Sequence, residues 1–149
     1  MKRKNFMLTE HFSYYEMTYS AWADRHHVDN TPDALQIAAL VHLCQKVLEP
    51  LRLQFGPIRI NSGFRSETVN IGVHGVGGSK HLTGEAADIH VPDVATGRAY
   101  FRFLKEHVDV DQLLFEYRRN GAMWLHLSIC LNPDENRHQL FPNYRVPHE

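Results

Sequence analysis

The clearest periodic pattern begins at residues 31–33 (Thr-Pro-Asp), which combine a hydroxyl N-cap, a proline at the first helical position and an acid in the first turn. Apolar residues then recur at steps of three and four, the spacing of one helix face: Ile37, Val41, Cys44, Leu48 and Leu51. Pro50 interrupts this face and predicts a kink or restart near Glu49. Residues 56–57 (Gly-Pro) predict its end, so we expect one long, interrupted helix.

Strand patterns dominate the rest of the chain. A short apolar run predicts a strand at residues 58–60, and the alternation of apolar and polar residues predicts another at 87–91. Residues 112–117 and 123–129 have the pattern of two strands, with turn residues at 118–121 between them. The last two strands are therefore expected to pair as a hairpin.

The remaining segments complete a single-domain α+β pattern. Asp93 can cap a helix that runs to about His107, and six of the nine glycines lie in residues 61–84, which predicts a shaped loop. We expect one domain over residues 1–149 with a small antiparallel sheet and helices packed on it. Within it, residues 1–30 form an N-terminal wrap of short helical turns, 31–131 the core, and the proline-containing residues 132–149 an irregular tail.

Composition and charge exclude several classes of protein. The chain has 149 residues, 43% of them hydrophobic, which suffices for a core. Its 16 basic and 17 acidic residues nearly balance, so no global field indicates nucleic acid binding. Two cysteines, Cys44 and Cys130, cannot form a disulfide framework. Neither a membrane-spanning run nor the apolar core of a signal peptide is present, which predicts a chain that is cytoplasmic as synthesised.

Among eleven histidines, two combine with an aspartate in a pattern typical of a catalytic zinc site, which needs three nitrogen or oxygen ligands and an open position. His81 lies on the glycine-rich loop. Asp88 follows on a strand whose alternation places its side chain on the face opposite Ala87, and His126 lies on a separate strand. The alternative is an ordinary loop histidine and a half-buried strand histidine that bind no metal.

Three ordered motifs carry a resemblance to a known family. Residues 62–66 match SGxRS, residues 79–88 match SxHxxGxAxD, and residues 124–126 match WxH. In this order, over about residues 8–129, they resemble the zinc D-Ala-D-Ala carboxypeptidase and dipeptidase family, which includes phage endolysin-like members and shares its fold with the hedgehog signalling domain. The resemblance implies one Zn²⁺ per chain and hydrolysis of bacterial cell-wall peptidoglycan.

The same resemblance assigns expected roles to individual residues. His81, Asp88 and His126 match the zinc ligands of the family. Arg65 matches an arginine that holds or polarises the carbonyl or carboxylate of the substrate, a task suited to its planar fork of donors. Ser79 matches a hydroxyl close to the substrate. Independently of the resemblance, Trp124 is expected to form a wall of the substrate cleft or to be a core aromatic residue.

The general base is where the chain departs from the family. Many relatives carry an acid three residues before the last histidine ligand, but this chain has Met123 there. Glu116, on the preceding strand, is the nearest candidate, and the hedgehog-like arrangement also has its glutamate on the preceding strand. Alternatively, Glu116 is solvated or pairs with Arg118 or Arg119, and the protein then lacks its usual base.

The hairpin register decides between these alternatives. With a two-residue turn, Phe115 opposes His126 and Glu116 faces away from the metal. With an odd loop of three or five residues, or one bulge, Leu114 opposes His126 and Glu116 opposes Trp124, all on the metal side. We favour the odd loop.

Two functions therefore stand at this point. The first is a zinc metallopeptidase of peptidoglycan stem peptides, of carboxypeptidase, dipeptidase or L-Ala-D-Glu endopeptidase type. The second is a non-catalytic zinc-binding phage structural or binding module of the same fold, which the Met123 departure favours. In either case we expect a monomer that does not bind nucleic acid or insert into membranes. It is expected either to stay in the cytoplasm or to reach the cell wall by a separate route. His90 and His74 are expected at most beside the site.

Overall fold

The computed structural model describes residues 5–146, and these form six α-helices and five β-strands with three shorter helical segments. In chain order they are α1 (Tyr14–Thr18), α2 (Ala21–His26), α3 (Ala34–Leu43), a π segment (Cys44–Leu48), α4 (Glu49–Phe55), β1 (Ile60–Ser62), α5 (Glu67–Gly72), a 3-10 turn (Lys80–Thr83), β2 (Ala86–His90), α6 (Val94–His107), β3 (Gln112–Tyr117), β4 (Met123–Ser128), a second 3-10 turn (Pro133–Glu135) and β5 (Gln139–Arg145).

The five strands form one sheet in the order β1-β2-β4-β3-β5. Every neighbouring pair is antiparallel except β3 and β5, which run parallel. The predicted α+β class and hairpin are confirmed, and α6 ends at the predicted residue.

The long helical run begins at a different cap from the one predicted. Asp33, and not Thr31, is the N-cap of α3: its carboxylate accepts a hydrogen bond from the Gln36 backbone, and the Gln36 side chain accepts one from the Asp33 backbone. The Thr31 hydroxyl donates to Asp29 instead. The Thr31 prediction is wrong because the aspartate, three residues before a glutamine, closes a reciprocal capping box.

The predicted interruption near Glu49 is confirmed. The run passes from α3 through the π segment into α4, whose first turn contains Pro50. Proline has no N–H to donate to a carbonyl four residues earlier, and a π segment is a common way for a helix to absorb such a break.

One face of the sheet packs on the helices and the other carries polar side chains. Ala87, Ile89, Leu125 and Leu127 are fully buried in the core with the apolar sides of the long helical run and α6. Because strand residues alternate, their neighbours on β2 and β4 lie on the opposite face. That second face positions the site described below.

The described part of the N-terminal segment contains two short helices. Helices α1 and α2 follow one another over the main body, and Phe12 and Met17 are buried in its core. Residues 1–4 lie outside the described part of the chain. Among residues 5–146, no helix is long and apolar enough to cross a membrane.

Two segments contain more regular structure than predicted. The tail from residue 132, expected to be irregular, forms β5 along the edge of β3 up to Arg145. Its residues are mostly exposed and include Pro142, so it lacks the alternation by which a half-buried strand is recognised. The glycine-rich loop contains α5, which begins where the Ser66 side chain accepts a hydrogen bond from the Val69 backbone.

Candidate metal centre

Three separate elements place the predicted metal ligands together. His81 lies in the first 3-10 turn, Asp88 in the middle of β2 and His126 in the middle of β4. Asp88 and His126 are directly opposite each other in the antiparallel pair, so their side chains lie side by side on the polar face. The Ser79 hydroxyl accepts a hydrogen bond from the His81 backbone N–H at 3.1 Å and so fixes the turn that carries His81.

The donor atoms of this trio are close enough to surround one ion. His81 Nε2 lies 3.3 Å from Asp88 Oδ1, and His126 Nδ1 lies 2.9 Å from the same oxygen. When one ligand atom is taken from each residue, the three atoms all lie within 4.8 Å of one another. Zinc bonds of 2.0–2.1 Å in a tetrahedron give ligand-to-ligand distances of about 3.3 Å, so the trio fits zinc in both donor type and spacing.

The tautomer of His81 also suits a metal ligand. His81 is almost fully buried, and its Nδ1 lies 2.6 Å from the carbonyl oxygen of Gly63. A carbonyl can only accept, so Nδ1 carries a proton, and Nε2 is the ring nitrogen that faces Asp88 and His126. Metal-binding histidines commonly have their second nitrogen held in this way.

Asp88 is the electrostatic centre of the site. Burial raises the pKa of its carboxyl, but the charge of His81 and the hydrogen bond from His126 outweigh burial and hold the pKa far below its usual range. Burial also disfavours the charged form of His126, which lowers its pKa. The hydrogen bond to Asp88 and the charge of Asp88 outweigh burial and raise that pKa above its usual value. An ionised carboxylate between two imidazoles is a donor set that favours a divalent cation.

Arg65 lies against this trio from the loop after β1. Its Nη2 lies 3.2 Å from Asp88 Oδ2, its Nε donates to Ser62 and its Nη1 to Asn70. The Arg65 backbone N–H also donates to the carbonyl of His81. Three contacts therefore orient a guanidinium that has five N–H donors, and two of these donors make no hydrogen bond within residues 5–146.

The hairpin has the odd loop that places Glu116 on the metal face. The last strand pair is Tyr117 with Met123, and residues 118–122 form the loop. In this register Leu114 opposes His126 and Glu116 opposes Trp124, as favoured from the sequence. The side chain of Met123 packs against the core on the other face. An acid at position 123 would therefore be directed into the core, so its absence does not remove a base from this site.

Glu116 is held by the neighbouring tryptophan. Its Oε2 accepts a hydrogen bond from the Trp124 indole N–H at 2.6 Å, and the guanidinium of Arg118 lies 5.4 Å from the centre of the indole ring. Burial and the negative charge of Asp88 raise the pKa of Glu116 above its usual value. A carboxylate with a raised pKa near a metal site is a suitable general base.

The remaining residues expected at or beside the site are one tryptophan and two histidines. Trp124 stands on the metal face beside His126, opposite both Glu116 on β3 and His90 on β2. His90 is exposed, and exposed His74 adopts a left-handed backbone conformation at φ 60°. No hydrogen bond or ion pair within residues 5–146 joins either histidine to the ligand trio.

Sequence reasoning missed Asn70, a buried polar residue that supports Arg65. Its Oδ1 accepts from Arg65 Nη1 and its Nδ2 donates to the carbonyl of Val76. A Cβ at Gly75 would come within 1.9 Å of the Asn70 amide oxygen, so only glycine allows this close approach. The signal available in sequence was a single asparagine between Val69 and Ile71, next to the glycines.

The comparisons with known proteins agree with this geometry. The family model described as Peptidase M15 matches residues 10–128, which include the three ligands, Arg65 and Glu116. No curated protein matches the chain. A match over most of the chain, combined with a ligand trio that fits zinc, shows that the chain belongs to the Peptidase M15 family of zinc peptidases.

Proposed function

We propose that the protein is a zinc-dependent metallopeptidase that hydrolyses peptide bonds in the stem peptides of bacterial peptidoglycan. One observation carries the proposal: His81, Asp88 and His126 converge at a polar sheet face that also carries Glu116, and Arg65 contacts Asp88 there from the loop after β1. The peptidoglycan substrate is supported by the SGxRS, SxHxxGxAxD and WxH motifs in their order.

The chain's own residues supply a complete set of roles for peptide hydrolysis. Zinc, when bound by the trio, supplies Lewis acidity toward a carbonyl oxygen and toward water. Glu116 takes the proton of the attacking water and later delivers it to the leaving amine. Trp124 occupies Oε2 of Glu116, while Oε1 has no hydrogen-bond partner in the described part of the chain and is the oxygen that exchanges the proton.

Arg65 orients the substrate beside the reacting carbonyl. Its three contacts fix the guanidinium plane, and its two remaining N–H donors are available for a carbonyl or carboxylate oxygen of the peptide. Donors already aimed at the place where charge develops lower the barrier because they need no reorganisation. Both carboxypeptidase and endopeptidase reactions can use this arrangement.

Digestion of purified muropeptides, followed by mass spectrometry, tests the proposal. Zinc-loaded wild type is expected to cleave them, and the fragment masses identify the bond. Glu116→Gln keeps the shape of the side chain and its contact with Trp124 but cannot accept the proton, so we expect at least a 100-fold loss of kcat with zinc retained. Glu106→Gln, at an exposed position on α6, is the matched control and should cleave normally.

Two outcomes would contradict the proposal. Cleavage by Glu116→Gln at the wild-type rate would remove the base assignment. Absence of cleavage by zinc-loaded wild type, over muropeptides of both carboxypeptidase and endopeptidase type, would favour the non-catalytic zinc-binding module.

A further inference from the structure

A groove of about 440 Å³ opens beside the ligand trio, and among its lining residues only Arg65 has a substrate-binding role in the mechanism above. Helix α2, strand β1 and helix α5 form its sides. Arg65 lines it and also contacts Asp88 at 3.2 Å, so this residue marks where the groove meets the metal centre. The volume is within the range of binding sites for small ligands and suits one or two amino acid residues.

One wall of the groove is fixed in place by close packing. The ring of Trp22 stacks on His26, with centroids 4.0 Å apart and planes 16° from parallel. A Cβ at Gly72 would lie 2.2 Å from the Trp22 ring, so α5 approaches the indole as closely as only glycine permits. Val69 of α5 and Val73, directly after this helix, add apolar surface to the same groove. The groove is therefore preformed and partly apolar.

The charge of the groove is positive. Arg25 lines it from α2, is exposed, and makes no hydrogen bond or ion pair within residues 5–146. Arg65 contributes the second cation, with two N–H donors still available. No aspartate or glutamate of the described chain lines the groove. The side chain of Asn61 also has no hydrogen-bond partner within residues 5–146, and it adds neutral hydrogen-bonding capacity to the groove.

We propose that this groove binds the part of the substrate peptide next to the cleaved bond, and that Arg25 recognises a carboxylate on that part. The protein is then specific for acidic peptides over their amidated counterparts. This inference rests on the proposed peptidase function, and it assigns Arg25 as a specificity-determining residue.

The chemistry of the groove favours a carboxylate in particular. A guanidinium presents two parallel N–H donors that match the two oxygens of a carboxylate, and an amide offers only one acceptor and no charge. Arg65 is committed to Asp88 and its neighbours, which fits it to hold the chain near the reacting bond. Arg25 has no hydrogen-bond or ion-pair partner among residues 5–146, so it can turn toward a side chain or terminal carboxylate of the peptide without breaking such a contact.

Two synthetic stem peptides that differ only in a free carboxylate or a carboxamide at one residue beside the cleaved bond provide the test. For zinc-loaded wild type we expect kcat/KM to be about tenfold higher for the acid than for the amide, mostly through KM. Arg25→Gln is expected to cleave both peptides equally, at the rate of wild type with the amide. Arg25→Lys should restore part of the preference because it restores the charge. The control Arg98→Gln removes an exposed cation from α6, which does not line this groove, and should keep the full preference.

A binding measurement separates this inference from the proposed function. Glu116→Gln is expected to turn the peptides over at least 100-fold more slowly, so its binding can be titrated by calorimetry. We expect about tenfold tighter binding of the acid than of the amide, and no such difference in the double variant Glu116→Gln with Arg25→Gln. Equal kcat/KM and equal affinity for the two peptides, or a preference that survives Arg25→Gln, would overturn the role of Arg25 and leave the peptidase intact. Failure of wild type to cleave either peptide, with the binding preference present, would overturn the peptidase reaction but support the acidic ligand.

Discussion

Asp111 is fully buried at the point where β3, β4 and the tail meet, and its ionisation is expected to control acid stability. Its carboxylate accepts hydrogen bonds from the Ser128 hydroxyl at 2.9 Å, from the Arg137 backbone at 3.1 Å, and from Arg137 Nε and Nη2 at 2.8 and 2.9 Å. The strands tied here carry Glu116 and His126, so this network supports the geometry of the site.

The magnitude follows from the pKa of Asp111. Burial raises this pKa, but the hydrogen bonds from Arg137 and Ser128 and the charge of Arg137 outweigh burial and hold it at about 2, against 3.8 for an unperturbed aspartate. A folded-state pKa below the unfolded value contributes stability that is present above the unfolded pKa and lost as the pH falls through the folded pKa. The contribution is about 2.5 kcal/mol at pH 7 and falls to about half by pH 3.

Urea unfolding of wild type and Asp111→Asn between pH 7 and pH 3, with zinc removed from both by a chelator, measures this contribution. We expect the variant to be less stable by about 2.5 kcal/mol at pH 7, with the difference halved at pH 3. Asp134→Asn, an exposed change in the same tail, is the control and should behave as wild type. A difference between wild type and Asp111→Asn that is constant over this pH range, or that grows as the pH falls, would refute the reasoning.

Two further substitutions test the packing and the site. Gly97→Ala places a Cβ 2.4 Å from the ring of buried Phe115, so we expect urea unfolding to show a loss of about 1–3 kcal/mol. At Gly77→Ala the added Cβ would meet no atom within 4 Å among the described residues other than its chain neighbours, so this variant should show no loss. Equal stabilities of the two variants would be the contradictory result. Arg65→Lys cannot make the three contacts of the guanidinium, including that with Asp88, so we expect kcat/KM for muropeptides to fall about tenfold or more at unchanged zinc content. An unchanged kcat/KM would show that cleavage does not need the planar guanidinium of Arg65.

Local signals predicted the elements that depend on local interactions. The capping aspartate at position 93 and the apolar spacing after it predicted α6, because both features act within one helix. Alternation predicted β3 and β4, and the face of His126 then limited the register to two possibilities that differed in the side of Glu116. The same alternation identified the strand face that carries Asp88 and His126, so these two ligands could be predicted from the sequence.

Features that depend on contacts between distant segments could not be predicted. The edge strand β5 is held by its hydrogen bonds to β3 and by the Arg137 contacts with Asp111, and its exposed side chains show no strand pattern. The groove beside Arg65 exists because Gly72 lets α5 approach Trp22, which lies in a different helix far away in sequence. Neither partner of such a contact identifies the other in a single sequence.

The zinc content of the purified protein tests the central claim most directly. Elemental analysis of wild type, dialysed after loading with zinc, is expected to give one zinc per chain, and Glu116→Gln should give the same value. Asp88→Ala removes the carboxylate shared by His81 and His126 and is expected to retain almost none. Wild type without zinc, or Asp88→Ala with as much zinc as wild type, would show that the three side chains are not the metal centre.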